Sequence, residues 1–271
     1  VRNGSVIAVG VFAVSVACAP DDERPPPPLP CSGCGTPNIG ISSGSLPPSG
    51  GGSAGTGGAG SDEPVRLEGE VRILTDIAGL TSTRFDDAAA VLAEGTSGDV
   101  AGTWSGFEPI FSIDGVKRAQ TAWTQVTPGP GDALRTLAPV DTSFPNDAGV
   151  VTTALTLATA SEIDAIYGSL VSPIERSDLA GQAILVALNG GAPASGVEVL
   201  APAAEAVLYV ENGIFSDEAT ATDRSGLFIL ANVPAGGWPG STIVVTLGGS
   251  AAGRYDLVVV SGGVTLAGVG N

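Results

Sequence analysis

From residue 65 onward, apolar and polar positions alternate along the chain. Val65, Leu67, Val71 and Ile73 take turns with Arg66, Glu68, Glu70 and Arg72, and Gly69 interrupts the series. Successive side chains of a strand point to opposite faces, so period two with charged partners predicts a strand half-buried on a core. Further strands are predicted at 88–93, 110–113, 121–127, 134–140 and 150–157, punctuated by turn formers such as Pro128-Gly129-Pro130-Gly131. A second series is predicted at 182–188, 197–200, 206–210, 218–222, 227–230, 242–247, 256–260 and 264–267. Short strands at regular spacing, separated by turn signals, predict an all-β sandwich.

One stretch changes period. Ile163, Ile166, Tyr167, Leu170 and Val171 recur at helical spacing. Ser161 is placed as the N-cap, with Asp164 three residues on in a capping-box-like arrangement, and Pro173 is placed as the stop. The expectation is a short connecting helix packed on a sheet edge, not a site.

Upstream of residue 65 the periodicity is lost. Pro25 to Pro28 form a run that favours extended polyproline II, and residues 40–60 are dominated by Gly and Ser, which predicts a flexible coil. As a coil, residues 19–64 would have a mean reach of roughly 35–40 Å. Gly55-Thr56-Gly57-Gly58-Ala59-Gly60 matches G-x-G-x-x-G, but that dinucleotide fingerprint needs a strand before it and a helix after it, and low-complexity sequence supplies neither. Further upstream, residues 6–17 (VIAVGVFAVSVA) form an apolar run behind Arg2. The run falls short of the roughly 20 apolar residues of a membrane span and fits the h-region of a secretory leader.

Composition narrows the chemistry. Apolar content of 43% suffices for a packed core, and the 40 Gly and 20 Pro among 271 residues favour strands, turns and linkers. A net charge of −17 is repelled by phosphate backbones, so no nucleic-acid partner is expected. The acidity suits a soluble extracellular surface. The chain has no His, which removes the usual acid-base group near neutral pH and the third member of a Ser-His-Asp triad. Cys31-Ser32-Gly33-Cys34 is a lone C-x-x-C. It lacks the further ligands of a zinc site, and Gly35 stands where haem attachment needs His. A local disulfide between Cys31 and Cys34, or two thiols, is expected in an oxidising compartment. No cofactor and no metal are expected.

Acidic motifs add little. Asp86 and Asp87 as strand neighbours point to opposite faces. Asp223-Arg224-Ser225-Gly226 starts like a calcium loop but lacks the bidentate Glu and further ligands. Lys117, the one Lys, sits mid-domain beside Arg118 rather than in a first strand, where an adhesin-type isopeptide would place it.

Two resemblances give these patterns a setting. The leader ends Val14-Ser15-Val16-Ala17-Cys18, which resembles the lipobox of bacterial lipoproteins, with Ser15 where that family prefers Leu. The resemblance implies that Cys18 is lipidated and begins the mature chain; the alternative is an ordinary leader cleaved near Ala17 or Ala19. Further on, Thr222-Asp223-Arg224-Ser225-Gly226-Leu227-Phe228 leads into Asn232-Val233-Pro234-Ala235-Gly236, with Trp238 two places later. Upstream stands Gly191-Ala192-Pro193-Ala194-Ser195-Gly196-Val197-Glu198-Val199. Together these resemble the carboxypeptidase-regulatory-like family over residues 181–262. That implies a seven-stranded, transthyretin-like Greek-key sandwich used as an accessory module, without catalysis. Asp223 and Gly226 suit the ends of a tight turn, Phe228 and Leu230 point into the core, and Pro234 and Gly236 shape the next connection. Thr103-Trp104-Ser105-Gly106-Phe107 in the first half is compared with this motif as a diverged copy, with Trp104 in place of the aspartate and the V-P-x-G stretch missing.

The expected organisation is a signal peptide at 1–18 and a disordered Pro/Gly/Ser-rich stalk at 19–64. A β-sandwich domain follows at 65–160, then a connecting helix and linker at 161–180, then a carboxypeptidase-regulatory-like sandwich at 181–271. The expected fold class is all-β, with one or two Greek-key, transthyretin/Ig-like sandwiches. The expected function is that of a non-catalytic, exported, lipid-anchored surface protein displaying these modules. Its partners would be a membrane through the lipid, and a protein or glycan. Exposed Trp104, Trp123 or Trp238 would favour glycan, because aromatic faces stack on sugars. The alternatives are a secreted carboxylate-dependent enzyme such as a glycosidase, and an envelope assembly or transport accessory that pairs through an edge strand.

Overall fold

The computed structural model of the chain describes residues 45–46 and 63–270, apart from 86–87, 96–97, 102, 105–109, 119–120 and 238. In chain order come β1 (Ser45–Leu46), β2 (Val65–Asp76), β3 (Thr81–Arg84), β4 (Ala88–Gly95), β5 (Gly98–Ala101), β6 (Thr103–Trp104), β7 (Ile110–Val116), β8 (Thr121–Pro128), β9 (Arg135–Asp141) and β10 (Val150–Leu157). Helix α1 (Ala160–Gly168) follows. Next are β11 (Ala180–Asn189), β12 (Ala192–Pro193), β13 (Val199–Leu200), β14 (Ala206–Glu211), β15 (Ile214–Ser216), β16 (Leu227–Pro234), β17 (Ser241–Leu247), β18 (Gly253–Val259) and β19 (Gly263–Gly270). The fold is all-β and sandwich-like, as the alternation predicts.

The main sheet runs β10-β2-β7-β4-β8-β9-β19-β11-β16-β14-β15, and β13-β17-β18 form a second, small sheet. Pairing along the main path is antiparallel except at β10–β2, β9–β19 and β19–β11. The last strand of the described chain therefore lies between strands from the two halves. Arg135 on β9 faces Gly263 on β19, and Gln182 on β11 faces Val264. Strands on either side of α1 are thus hydrogen-bonded into one sheet. The order of strands also differs between the halves: β7 and β8 share a sheet, whereas β16 and β17 lie in different sheets.

The two faces of the β19-β11-β16-β14 region are both covered. One face carries Leu185, Phe228, Leu230 and Ala267 and packs on Val245, Leu247, Tyr255 and Leu257 of the small sheet. This is the sandwich proper, with two inner faces interdigitating. The opposite face carries Ile184, Val186, Ile229 and Leu266 and packs on Ile163 and Tyr167 of α1 and on Leu74, Ile77 and Leu80 at the β2–β3 turn. A strand covered on both sides loses its alternation. Accordingly β19 is buried along its whole length, and β11 is buried from Gly181 to Ala187. The remaining strands close over a third core, with Leu67, Val71, Phe111, Ile113, Val126 and Leu155 inside.

Gly69 has a steric role in β2. A Cβ there would stand 1.6 Å from the carbonyl oxygen of Thr153, its partner on β10. Only a residue without a side chain lets the two backbones approach this closely.

Three local expectations are corrected. The helix starts two residues earlier than expected: Thr159 is the N-cap, and its hydroxyl accepts the backbone N–H of Glu162 at 3.3 Å. Ser161 instead donates its backbone N–H and hydroxyl to Asp132. The helix ends at Gly168 with Ser169 as C-cap, ahead of Pro173. Residues 218–222 form no strand, because they are tied to side chains and to another loop. Ser216 Oγ accepts the N–H of Glu218, and Val197 O accepts the N–H of Thr222. Finally, Ser45–Leu46, expected within a disordered stalk, is a strand on β19.

Candidate functional site

The family-like motif is built around Thr222, Asp223 and Gly226. Thr222 is buried. Its hydroxyl donates to the carbonyl of Ala194 at 2.7 Å and accepts the N–H of Val197 at 3.1 Å. Its backbone N–H donates to Val197 O, and its carbonyl accepts from Gly196 N–H at 2.7 Å. One residue thus fastens the loop before β16 to the loop after β12. Asp223 Oδ1 accepts from Ser225 N–H at 2.8 Å and from Ser225 Oγ at 2.5 Å, an Asx-turn that bends the chain. The Gly226 N–H closes the turn on Asp223 O. Gly226 lies at φ +67, and a Cβ there would meet Ala187 O at 2.6 Å. Both the dihedral and the close approach call for glycine.

Beyond the turn, Phe228 and Leu230 are buried in the sandwich core, as expected. Pro234 is exposed and ends β16. Gly236 bridges in parallel to Val260, and its carbonyl accepts the N–H of Ser261 at 2.8 Å. The motif residues therefore come together as a scaffold for the edge of the sandwich.

A polar cluster that the sequence reading did not single out lies on the α1 side. Gln182 is 2% exposed. Its Oε1 accepts the Tyr167 hydroxyl at 2.5 Å and the Asn232 N–H at 2.8 Å, and its Nε2 donates to Asn232 Oδ1 at 3.0 Å. Asn232 Oδ1 also accepts from Ser177 N–H, and its Nδ2 donates to Glu175 O and to Glu205 Oε2 at 2.7 Å. Asn232 sits at φ +47, a conformation that Asn tolerates better than most residues. The signal available in sequence was Asn232 itself, standing in the motif directly before Val233-Pro234.

The perturbed ionisations follow from burial and internal partners. Burial pushes Tyr167 well above an ordinary tyrosine, and it raises Tyr209 and Tyr255 as well. Glu162 is raised chiefly by burial. The Ile77 N–H donated to its carboxylate at 2.5 Å works against that shift, and the charge of Asp76 adds to it.

Other candidate residues fall apart from one another. Trp123 is buried against Leu137 in the sandwich core and offers no exposed ring. Lys117 is exposed, and its carbonyl accepts the Thr142 hydroxyl. An open groove of 1030 Å³ lies between the β14–β15 turn and residues 218–224. Cys18, Cys31, Cys34, Asp86, Asp87, Trp238 and the side chain of Trp104 lie outside the described residues. Among the described residues, no group of three or more acids, His or Cys comes together to hold a metal, and no helix is long and apolar enough to cross a membrane.

No family model matches the chain, and no curated protein or solved structure matches it.

Proposed function

We propose that the protein is a non-catalytic scaffold, exported and tethered to the cell envelope through a lipid on Cys18, that displays its β-sandwich for contact with a protein or glycan. The observation that carries this reading is where the motif's polar groups point. Thr222, Asp223 and Asn232 bond to their own chain, so the motif specifies a shape. The raised tyrosines and Glu162 have the same character, since their shifts come from packing and from partners within the fold. Perturbed groups that cluster in a cleft would favour catalysis; these are divided between two cores, with Tyr209 and Tyr255 in one and Tyr167 in the other. Similarity to the carboxypeptidase-regulatory-like motif supports the accessory role, and the lipobox-like leader supports the anchor.

The test is to feed expressing bacteria a clickable fatty acid and fractionate the cells. The wild-type chain is expected to carry label and to sediment with membranes, and Cys18→Ser to lose both. A wild-type chain without label would overturn the anchor.

A further inference from the structure

The loop between β9 and β10 is fixed by its own polar groups. Asp141 Oδ1 accepts the N–H of Ser143 at 2.8 Å, and the Thr142 hydroxyl donates to Lys117 O at 2.7 Å. Asn146 Oδ1 accepts the N–H of Ala148 at 3.0 Å and that of Val150 at 2.9 Å, while the Asn146 N–H donates to Val150 O. Between these two sets of bonds stands Phe144, 85% exposed. A single exposed apolar residue is ordinary. Here, however, the loop that presents the ring is already ordered, so placing it on a ligand costs little entropy.

A polar cleft of 860 Å³ begins one residue further on, with Pro145, Asn146 and Asp147 in its wall. Arg66 of β2 and Asp114 of β7 also line it, and the Arg66 Nε donates to Asp114 Oδ1 at 2.5 Å. The Asn146 Nδ2 and the Asp147 carboxylate have no partner among the described residues. The lining carries three acids, Glu63, Asp114 and Asp147, against two arginines, Arg66 and Arg118, on a chain of net charge −17. Such a cleft disfavours an anion.

We propose that this cleft, with Phe144 beside it, is a binding site for a neutral glycan. A sugar has apolar C–H faces that lie on an aromatic ring, and hydroxyls that both donate and accept. Asn146 Nδ2 would donate to one hydroxyl and Asp147 would accept from another. A protein partner would instead need apolar surroundings to seat the ring and exclude water, and the wall next to Phe144 is polar. The inference rests on the glycan arm of the display reading above. Phe144 takes the part that the sequence reading gave to tryptophans, of which Trp123 is buried.

Native affinity electrophoresis of the full chain tests it. Galactomannan, xyloglucan, dextran and glycogen serve as neutral probes, and alginate as an acidic one. Retardation by at least one neutral polysaccharide is expected, with none by alginate. Phe144→Ala is expected to weaken that binding about tenfold or more. Asn146→Asp keeps the oxygen that Ala148 and Val150 use but loses the donor, and is expected to weaken it about fivefold. Both variants should keep the wild-type urea midpoint, since Phe144 is exposed and the loop retains its acceptor. Retardation that both variants leave unchanged would overturn this site, while the display reading would stand. No retardation by any neutral probe, or retardation by alginate alone, would overturn the neutral-glycan class. The lipid label on Cys18 is read separately, so loss of the anchor and loss of this site are distinguishable.

Discussion

Gln182 and Asn232 hold each other reciprocally. The Gln182 side-chain amide donates to Asn232 Oδ1 at 3.0 Å, and its carbonyl accepts the Asn232 backbone N–H at 2.8 Å. Through Asn232 the pair reaches Ser177 N–H, Glu175 O and Glu205, and so binds the segment after α1 to β11 and β16. Asn232→Ala removes the four side-chain bonds, keeps the backbone N–H donated to Gln182, and leaves a Cβ residue at φ +47 without the side-chain hydrogen bonds that hold it there. The expected loss is about 3 kcal/mol in urea unfolding, since an unsatisfied buried partner costs about 1–3 kcal/mol and a left-handed backbone about 1–2. Asn232→Gly keeps the backbone easy and should recover about 1 kcal/mol of it. Equal losses for the two variants would show that the dihedral carries no cost.

Tyr167 donates to the same Gln182 oxygen from α1. Tyr167→Phe is expected to lose about 1–2 kcal/mol, the value of a buried hydrogen bond left half-made. All three tyrosines are raised by burial, Tyr167 the most. A group raised on folding contributes stability that is present below its unfolded pKa and lost as pH rises through the shifted value. The chain is therefore expected to lose stability above about pH 10. Tyrosinate absorbance should appear together with unfolding; a separate folded-state titration near the ordinary tyrosine value would contradict the burial.

The all-β class was legible because period two survives wherever a strand faces one core, as in β2 with Val65, Leu67 and Val71 inside. The turn at Asp223 and Gly226 was legible because its dihedrals demand particular residues. What bonds to what was not legible. The junction of β9 with β19 joins Arg135 to Gly263, and parallel pairing over such a separation leaves no local mark. The helix start was misplaced at Ser161 because threonine and serine are both N-cap residue types, so residue type alone does not separate Ser161 from Thr159. Asp132, distant in sequence, claims Ser161 and leaves Thr159 to cap the helix. Residues 218–222 alternate like a strand, yet Thr222 is claimed by Ala194 and Val197. Gln182 read as an ordinary strand residue, since nothing in its neighbours announces that Asn232 will stand opposite.

Two glycines should respond oppositely to the same substitution. Gly69→Ala places a methyl group against the Thr153 carbonyl, a backbone atom that moves only if β10 moves. The expected cost is about 2–3 kcal/mol, in the range of overpacked sites, with lost exchange protection along β2 and β10. Gly168, the last residue of α1, has open space around its Cβ position. Gly168→Ala is expected to stabilise by about 0.5 kcal/mol through helix propensity. A neutral Gly69→Ala would show that β2 and β10 pair less closely than described.

Glu162 sets a pH dependence in the acid range. Its carboxylate is raised chiefly by burial beside α1, while the Ile77 N–H donated to it acts in the other direction. The folded chain thus binds this proton more tightly than the unfolded chain does. The corresponding stability is complete below the ordinary glutamate pKa and is lost as pH rises through the raised value. Gln resembles the protonated acid in shape and keeps an oxygen for Ile77, but it never ionises. Glu162→Gln should therefore match the wild type in urea midpoint below about pH 4 and exceed it at pH 7. Comparing the two chains at each pH cancels the titration of every other carboxylate. A variant less stable at pH 7 than at low pH, relative to wild type, would mean that the charged hydrogen bond to Ile77 outweighs the desolvation. Glu162 would then be a partner that fastens the β2–β3 turn to the start of α1 through its charge.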